Sequence, residues 1–189
     1  MNRKLLIGGA ATVLIAGGTV ELYSADLRQH LQKWESGTEM VLTVYADRLA
    51  GGLPTVCNGL TRHVTTTPIV VGDRWTVEQC LTEQHTAVTR LQLRLAQCFK
   101  QTPPQAVFDM ATSHGWNLGV ENTCRSGAMQ AWNRQEWERG CRRLSRGDDG
   151  RIVWSYVSKA VNGVKQYTLV QGLVNRRNDE TATCLEGLT

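Results

Sequence analysis

Residues 34–61 read WESGTEMVLTVYADRLAGGLPTVCNGLT. Two acids, Glu35 and Asp47, stand on either side of a run in which Met40, Leu42 and Val44 alternate onto one face. That alternation predicts a strand. Ala50-Gly51-Gly52-Leu53-Pro54 is a turn cluster, and the Thr- and Val-rich residues 55–71 predict more strand. Upstream, residues 26–34 place Leu27, Leu31 and Trp34 at i, i+4 and i+7. This predicts an amphipathic helix that runs straight into Glu35. Acids flank hairpins on many solvated surfaces, so the spacing alone favours a solvated surface over a site.

The residue types nevertheless suit one chemistry. Glycoside hydrolysis needs a protonated carboxyl to donate to the leaving oxygen, and an ionised carboxylate that activates water or stabilises the cationic transition state. Their surroundings must differ enough to separate their pKa values. Glu35, at a helix end beside Trp34, is placed to keep its proton, while Asp47, on an open hairpin, is placed to stay ionised. Thr55 on the following strand offers a hydroxyl to orient water.

Further along, Thr76-Val77-Glu78-Gln79 is a capping box. It opens a long helix expected to reach about Lys100, with Leu81, Val88, Leu91, Leu95 and Cys98 on its inner face. Pro103-Pro104 stops it. Short helices are expected over 105–116, 126–134, 136–145 and 168–186. The fold class is α+β: a small β-rich lobe beside a helical lobe, joined by one long helix. The 189 residues suit one domain, here 26–189, with a short appendage, 1–25.

That appendage begins with Arg3 and Lys4, followed by Leu5 to Val20 without a charge, and Glu21 ends the run. A basic start before an apolar stretch is an export signal. The positive-inside rule leaves the remainder outside. As a helix the stretch spans about 24 Å against a hydrocarbon core of roughly 30 Å. Glycine, alanine and threonine fill more than half of it. It reads as a cleaved signal peptide, a permanent anchor, or an anchor that leaves the membrane uncleaved; composition favours the last.

The formal charge of +4 favours an anionic partner, whether nucleic acid, membrane surface or cell wall, or else marks a basic solvated surface. The six cysteines, Cys57, Cys80, Cys98, Cys124, Cys141 and Cys184, form no C-x-x-C pair, and no His stands at zinc-finger spacing. No metal site is expected. An even, widely spaced set predicts up to three disulfides, and so an oxidising compartment; spacing does not choose among the fifteen pairings.

Several blocks carry a resemblance. Trp34-Glu35-Ser36-Gly37, Tyr45-Ala46-Asp47 and Thr55-Val56-Cys57-Asn58-Gly59-Leu60-Thr61 resemble the Trp-Glu-Gly, Tyr-x-Asp and Thr-x-x-x-Gly-x-Thr segments of phage-type lysozymes, glycoside hydrolase family 24. Gly115-Trp116-Asn117-Leu118-Gly119 resembles a Phe-Asn-x-Gly segment of that family's helical lobe. Gly172-Leu173-Val174-Asn175-Arg176-Arg177, with Glu180 and Cys184, resembles the ending of its export-dependent endolysins. The match runs in order from about residue 27 to 186. Departures are a longer hairpin and Leu60 where many relatives have His.

The resemblance implies a lysozyme-like fold preceded by an N-terminal signal-anchor helix. It implies a phage endolysin, a muramidase on the glycan strands of peptidoglycan, with Glu35 as acid, Asp47 as base or charge stabiliser and Thr55 positioning water. Glu39 is the rival acid because it lies closer to Asp47. The resemblance further implies Asn117 at the cleft, disulfides Cys98–Cys184 and Cys124–Cys141 that leave Cys57–Cys80, and no cofactor. It suggests a monomer that binds no nucleic acid. Residues 5–20 would hold the exported chain at the inner membrane, and release would free it into the periplasm. Two other readings stay open. A lytic transglycosylase would need one Glu and leave an anhydro end; a wall-binding protein would have no activity. His30, His63, His85 and His114, and the tryptophans 116, 132, 137 and 154, read first as surface or packing residues. Of Arg176 and Arg177, one is expected to pair with an acid and the other to be solvated.

Overall fold

The computed structural model describes residues 11–35, 40–48, 51–162 and 164–189. Glu39, the rival acid, lies outside them. The chain opens with a hairpin, β1 (Thr12–Ile15) and β2 (Gly18–Glu21). Next come α1 (Ala25–Glu35) and a three-stranded sheet of β3 (Val41–Asp47), β4 (Leu53–Cys57) and β5 (Leu60–Thr61). The long helix α2 (Val77–Ala96) leads to α3 (Gln105–Leu118), α4 (Val120–Arg125), α5 (Gly127–Trp132) and α6 (Trp137–Arg142). A second hairpin, β6 (Tyr156–Val161) and β7 (Val164–Leu169), precedes α7 (Gln171–Glu186).

The β lobe follows its sequence pattern. Val44 and Val56 point into a small core with Leu60, Trp75, Cys80 and Ala87. The segment before α2 runs along the free edge of β3: Val44 N–H donates to Asp73 O at 2.9 Å and Trp75 N–H to Leu42 O at 2.8 Å. Helix α2 begins at the expected capping box, Thr76 and Gln79. Its buried face runs through Cys80, Gln84, Ala87, Val88, Gln92 and Leu95. Leu81 is 51% exposed rather than inward, because it sits one residue, about 100°, round from Cys80.

The main core lies in the helical lobe, where Phe108, Met110, Met129, Trp132 and Leu144 pack together. Residues 11–22 belong to it. Ile15, Val20 and Leu22 are buried against Leu95, Phe99, Val107 and Phe108. The expected apolar helix over residues 5–20 is therefore corrected over its described part, residues 11–20, which form a hairpin. Thr12, Val13, Ile15, Thr19 and Val20 are β-branched, which favours strand. Ala16 and Gly17, at φ 48° and 90°, make the two-residue turn with both central residues left-handed that suits a twisted hairpin. Gly18 N–H donates to Thr102 Oγ1 at 3.1 Å, and Glu21 exchanges backbone bonds with the Gln105 amide at 2.7 and 3.0 Å. None of the described helices is long and apolar enough to cross a membrane.

Three disulfides brace the lobes. Cys57–Cys80 ties β4 to α2, as expected. The other two correct the expectation: they are Cys98–Cys124 and Cys141–Cys184. Helix α4, which the sequence pattern did not reveal, carries Cys124 back to the end of α2. Helix α6 lies on α7, where Thr181 Oγ1 donates to Cys141 O at 3.1 Å, so Cys141 meets Cys184. The β6–β7 hairpin fills the stretch between the helices expected over 136–145 and 168–186, and takes Thr168 and Leu169 from the latter.

Candidate active site

Helix α1 is held at both ends. Ser24 Oγ accepts from Leu27 N–H at 3.1 Å and donates to buried Asp109 on α3 at 2.7 Å. At the other end, Asp179 of α7 collects three side chains of α1. Trp34 Nε1 donates to it at 2.7 Å, Lys33 Nζ at 2.8 Å, and His30 Nδ1 lies 3.6 Å away. Burial holds the His30 imidazole down to about pKa 4, so it stands neutral beside Asp179 at physiological pH. Burial pushes the Asp179 carboxyl up, but the bonds from Lys33 and Trp34 outweigh it and leave it below the usual range.

These bonds fix Glu35, the last residue of α1. Its side chain is 17% exposed, and Oε1 accepts from Arg176 Nη1 at 2.6 Å. The other oxygen faces the β4–β5 turn: a Cβ built at Gly59, φ 80°, would stand 3.2 Å from Oε2. Glycine there leaves room for both the left-handed turn and the carboxylate. Arg176 Nε also reaches Glu180 Oε1 at 3.3 Å, and Arg177 Nη2 reaches the same oxygen at 2.7 Å, with Ser113 Oγ donating to it at 2.7 Å. Arg176, Arg177 and Glu180 are all buried. The expectation that one arginine would be solvated is thus corrected: each is tied to Glu180. Burial pushes Glu180 up against the pull of Arg177 and Arg176, and brings Arg177 down to about 10. Glu35 is thereby the outermost member of a charge chain running from α7 to the β4–β5 turn.

The second carboxylate comes from the sheet. Asp47 pairs with Leu53, and Tyr45 with Thr55. Side chains two apart share a face, so Asp47 and Thr55 are diagonal neighbours on one face, roughly 7–8 Å apart. Thr55 is 4% exposed, and its hydroxyl donates to Leu53 O at 3.0 Å, leaving the oxygen free to accept. Asp47 is half-buried at the strand end. Glu35 meets this sheet at Gly59, in the turn that follows β4.

A groove of ≈ 430 Å³ opens between the lobes, lined by Arg62, His63, Leu91, Arg94, Trp116 and Val120 among others. His63 borders it. Asn117 is exposed at the end of α3, next to the lining residues Trp116 and Gly119. Trp132 is core, Trp116 and Trp137 pack partly against the cores, and Trp154 sits edge-on to buried His114. Among the described residues no cluster of His, Cys, Asp and Glu could hold a metal ion.

The phage lysozyme family model matches residues 32–180, which take in Glu35, Asp47, Thr55 and the arginine pair. The chain belongs to the phage lysozyme family. A phage lysozyme is a glycoside hydrolase that cleaves peptidoglycan, and so is this chain. The SAR-endolysin of Pseudomonas phage phiKMV is 31% identical over 144 residues, covering 76% of this chain and 78% of that one. The endolysin from Escherichia coli O157:H7 phage FAHEc1 superposes with a TM-score of 0.70 at 22% identity, covering 86% of this lysozyme and 92% of its own chain. A P22 lysozyme mutant gives 0.64 at 19% identity, covering 86% and 97%. At these identities the two structures speak for the lysozyme-like fold. In this lysozyme Glu35, Asp47, Thr55 and Asn117 were legible as candidates in the sequence, but Asp179 was not. The resemblance included Glu180 without assigning it a role. Their only local signal was an α7 whose charges recur at i, i+3 and i+4.

Proposed function

We propose that this phage lysozyme is an endolysin. As a muramidase it hydrolyses the β-1,4 bond between N-acetylmuramic acid and N-acetylglucosamine. The observation that carries the reading is the Glu35 carboxyl, fixed by Arg176 and Gly59 where α1 meets the sheet whose face holds Asp47 and Thr55. Glu35 delivers a proton to the glycosidic oxygen as the bond to C1 breaks. Asp47 faces the positive charge that grows on the ring, and with Thr55 it holds the water that adds to C1 and passes its proton to Asp47; solvent then exchanges that proton and reprotonates Glu35. Asn117, at the groove edge, is assigned to the glycan strand. The reaction needs no cofactor and the enzyme works as a monomer.

The test is turbidity loss of purified Gram-negative peptidoglycan with reducing-end and product-mass analysis. Wild type should release new reducing ends. Glu35→Gln should lose at least 10²-fold in rate while staying folded, in line with general acid catalysis. Anhydro-sugar ends instead would assign a lytic transglycosylase, and wall binding without cleavage would assign a binding protein. Wild-type rates in Glu35→Gln would move the acid to Glu39.

Residues 5–20 are assigned as the tether that holds the newly exported chain at the inner membrane before release into the periplasm. Three observations support this: the basic start and short glycine-rich stretch, the similarity to a SAR-endolysin, and the burial of Ile15 and Val20 in the helical lobe. The same apolar residues have two places to go, lipid or protein core. Membrane fractionation of exporting cells, with and without dissipation of the membrane potential, tests the tether.

A further inference from the structure

The β6–β7 hairpin carries no residue of the site, yet it displays more apolar surface than its length explains. Its strands pair from Tyr156↔Leu169 to Val161↔Val164, closed at the base by Val170 N–H to Ser155 O at 2.9 Å. Tyr156, Val157, Val164, Tyr167 and Leu169 are 44–67% exposed. Alternation puts Tyr156, Tyr167 and Leu169 on one face and Val157 and Val164 on the other. A lone two-stranded ribbon is marginal in water, and one that exposes large apolar groups on both faces is worse off still.

Its charge has one sign. No Asp or Glu occurs between Asp149 and Asp179, while Arg151, Lys159 and Lys165 fall in that stretch. Lys159 and Lys165 are exposed and have no carboxylate partner among the described residues. At the base of the ribbon a groove of ≈ 550 Å³ runs past Arg143, Arg146, Trp154 and Tyr156; its one carboxylate, Asp148, is paired with Arg139 and Arg143.

We propose that the β6–β7 hairpin docks this enzyme onto an anionic membrane surface. Lys159 and Lys165 meet lipid phosphates, and the tyrosine and aliphatic side chains enter the headgroup–acyl boundary. Tyrosine suits that boundary because its ring is apolar and its hydroxyl is not, and lysine can lay its stem on lipid while its ammonium stays at the headgroups. A polyanionic glycan or acidic protein would answer the lysines, but not valines on both faces of the ribbon. Lipid answers both. This surface is independent of the catalytic assignment.

The test uses full-length oxidised protein and vesicles of phosphatidylcholine with or without phosphatidylglycerol. Wild type should bind the anionic vesicles more tightly, and added salt should weaken that binding. Neutralising both lysines, Lys159→Gln with Lys165→Gln, should weaken it roughly 25-fold, about fivefold per lysine. Val164→Ser with Tyr167→Ser should weaken it as well, with the salt dependence retained. The N-terminal apolar residues are common to all three proteins, so the differences belong to the hairpin. Equal binding by wild type and the lysine variant overturns the proposal. Undiminished binding by the serine variant also overturns it, because any polyanion would then serve. Near-UV circular dichroism checks the folds, and Lys165→Gln alone is read if a double variant fails that check.

Discussion

Arg176 is the residue on which the site turns. It joins the partly buried carboxylate Glu35 to the buried Glu180. Arg176→Met should cost about 1.5–3 kcal/mol, because it removes the charged hydrogen bonds to Glu35 and Glu180 while Arg177 still pairs with Glu180. Guanidinium unfolding would measure that loss, and lysis should fall with it. Asp109 makes a separate prediction about pH. Burial raises its folded pKa to about 6 from 3.8, against the bonds from Ser24 and Gln105. The folded state therefore holds the proton more tightly than the unfolded state. The associated stability is full below about 3.8 and is lost as pH rises through about 6. The loss amounts to roughly 3 kcal/mol. Asp109→Asn has no such proton to lose. From pH 4 to 7, wild type should therefore lose stability relative to the variant, as urea titrations at a series of pH values would show. His30 acts in the opposite sense: its folded pKa of about 4 makes stability fall as pH drops below 6.5.

Among the elements, the β1–β2 hairpin is the one whose alternatives can be separated by substitution. Ala16 sits at φ 48°, a conformation that strains any residue with a Cβ, whereas in a membrane helix alanine is favoured over glycine. Ala16→Gly should stabilise the docked hairpin by up to about 1 kcal/mol, the relief of left-handed strain exceeding the added freedom of the unfolded chain, and, on the proposed tether, shift protein from the membrane to the soluble fraction. Gly18→Ala should do the reverse. A Cβ there would stand 2.6 Å from Thr102 Oγ1, so the hairpin could not close on the lobe without displacing Thr102. Quantitative immunoblots of membrane and periplasmic fractions would read both shifts, and Thr102→Gly should rescue Gly18→Ala.

For the whole molecule, the three disulfides close loops of 23, 26 and 43 residues. Each is worth about 3–4 kcal/mol on the loop-entropy account. Together they rival the 5–15 kcal/mol by which domains are stable at all. The reduced protein should therefore be largely unfolded at physiological temperature and inactive until oxidised. Thermal unfolding with and without dithiothreitol would show it as a collapse of Tm. The sequence by itself determined the α+β class, the capping-box start of α2, α1 running into Glu35, and the hairpin carrying Asp47 and Thr55. All of these are local, because hydrophobic period and turn chemistry act within a few residues. Tertiary structure decided the remainder. Cys98 could meet Cys124 only once α4 existed and folded back, and residues 11–20 could be strand only because the helical lobe offers Ile15 and Val20 a core. Asp179 and Arg176 gained their roles because α7 is brought beside α1, across more than 140 residues of chain. Pairings at that distance depend on which faces pack together, and no local pattern encodes that choice.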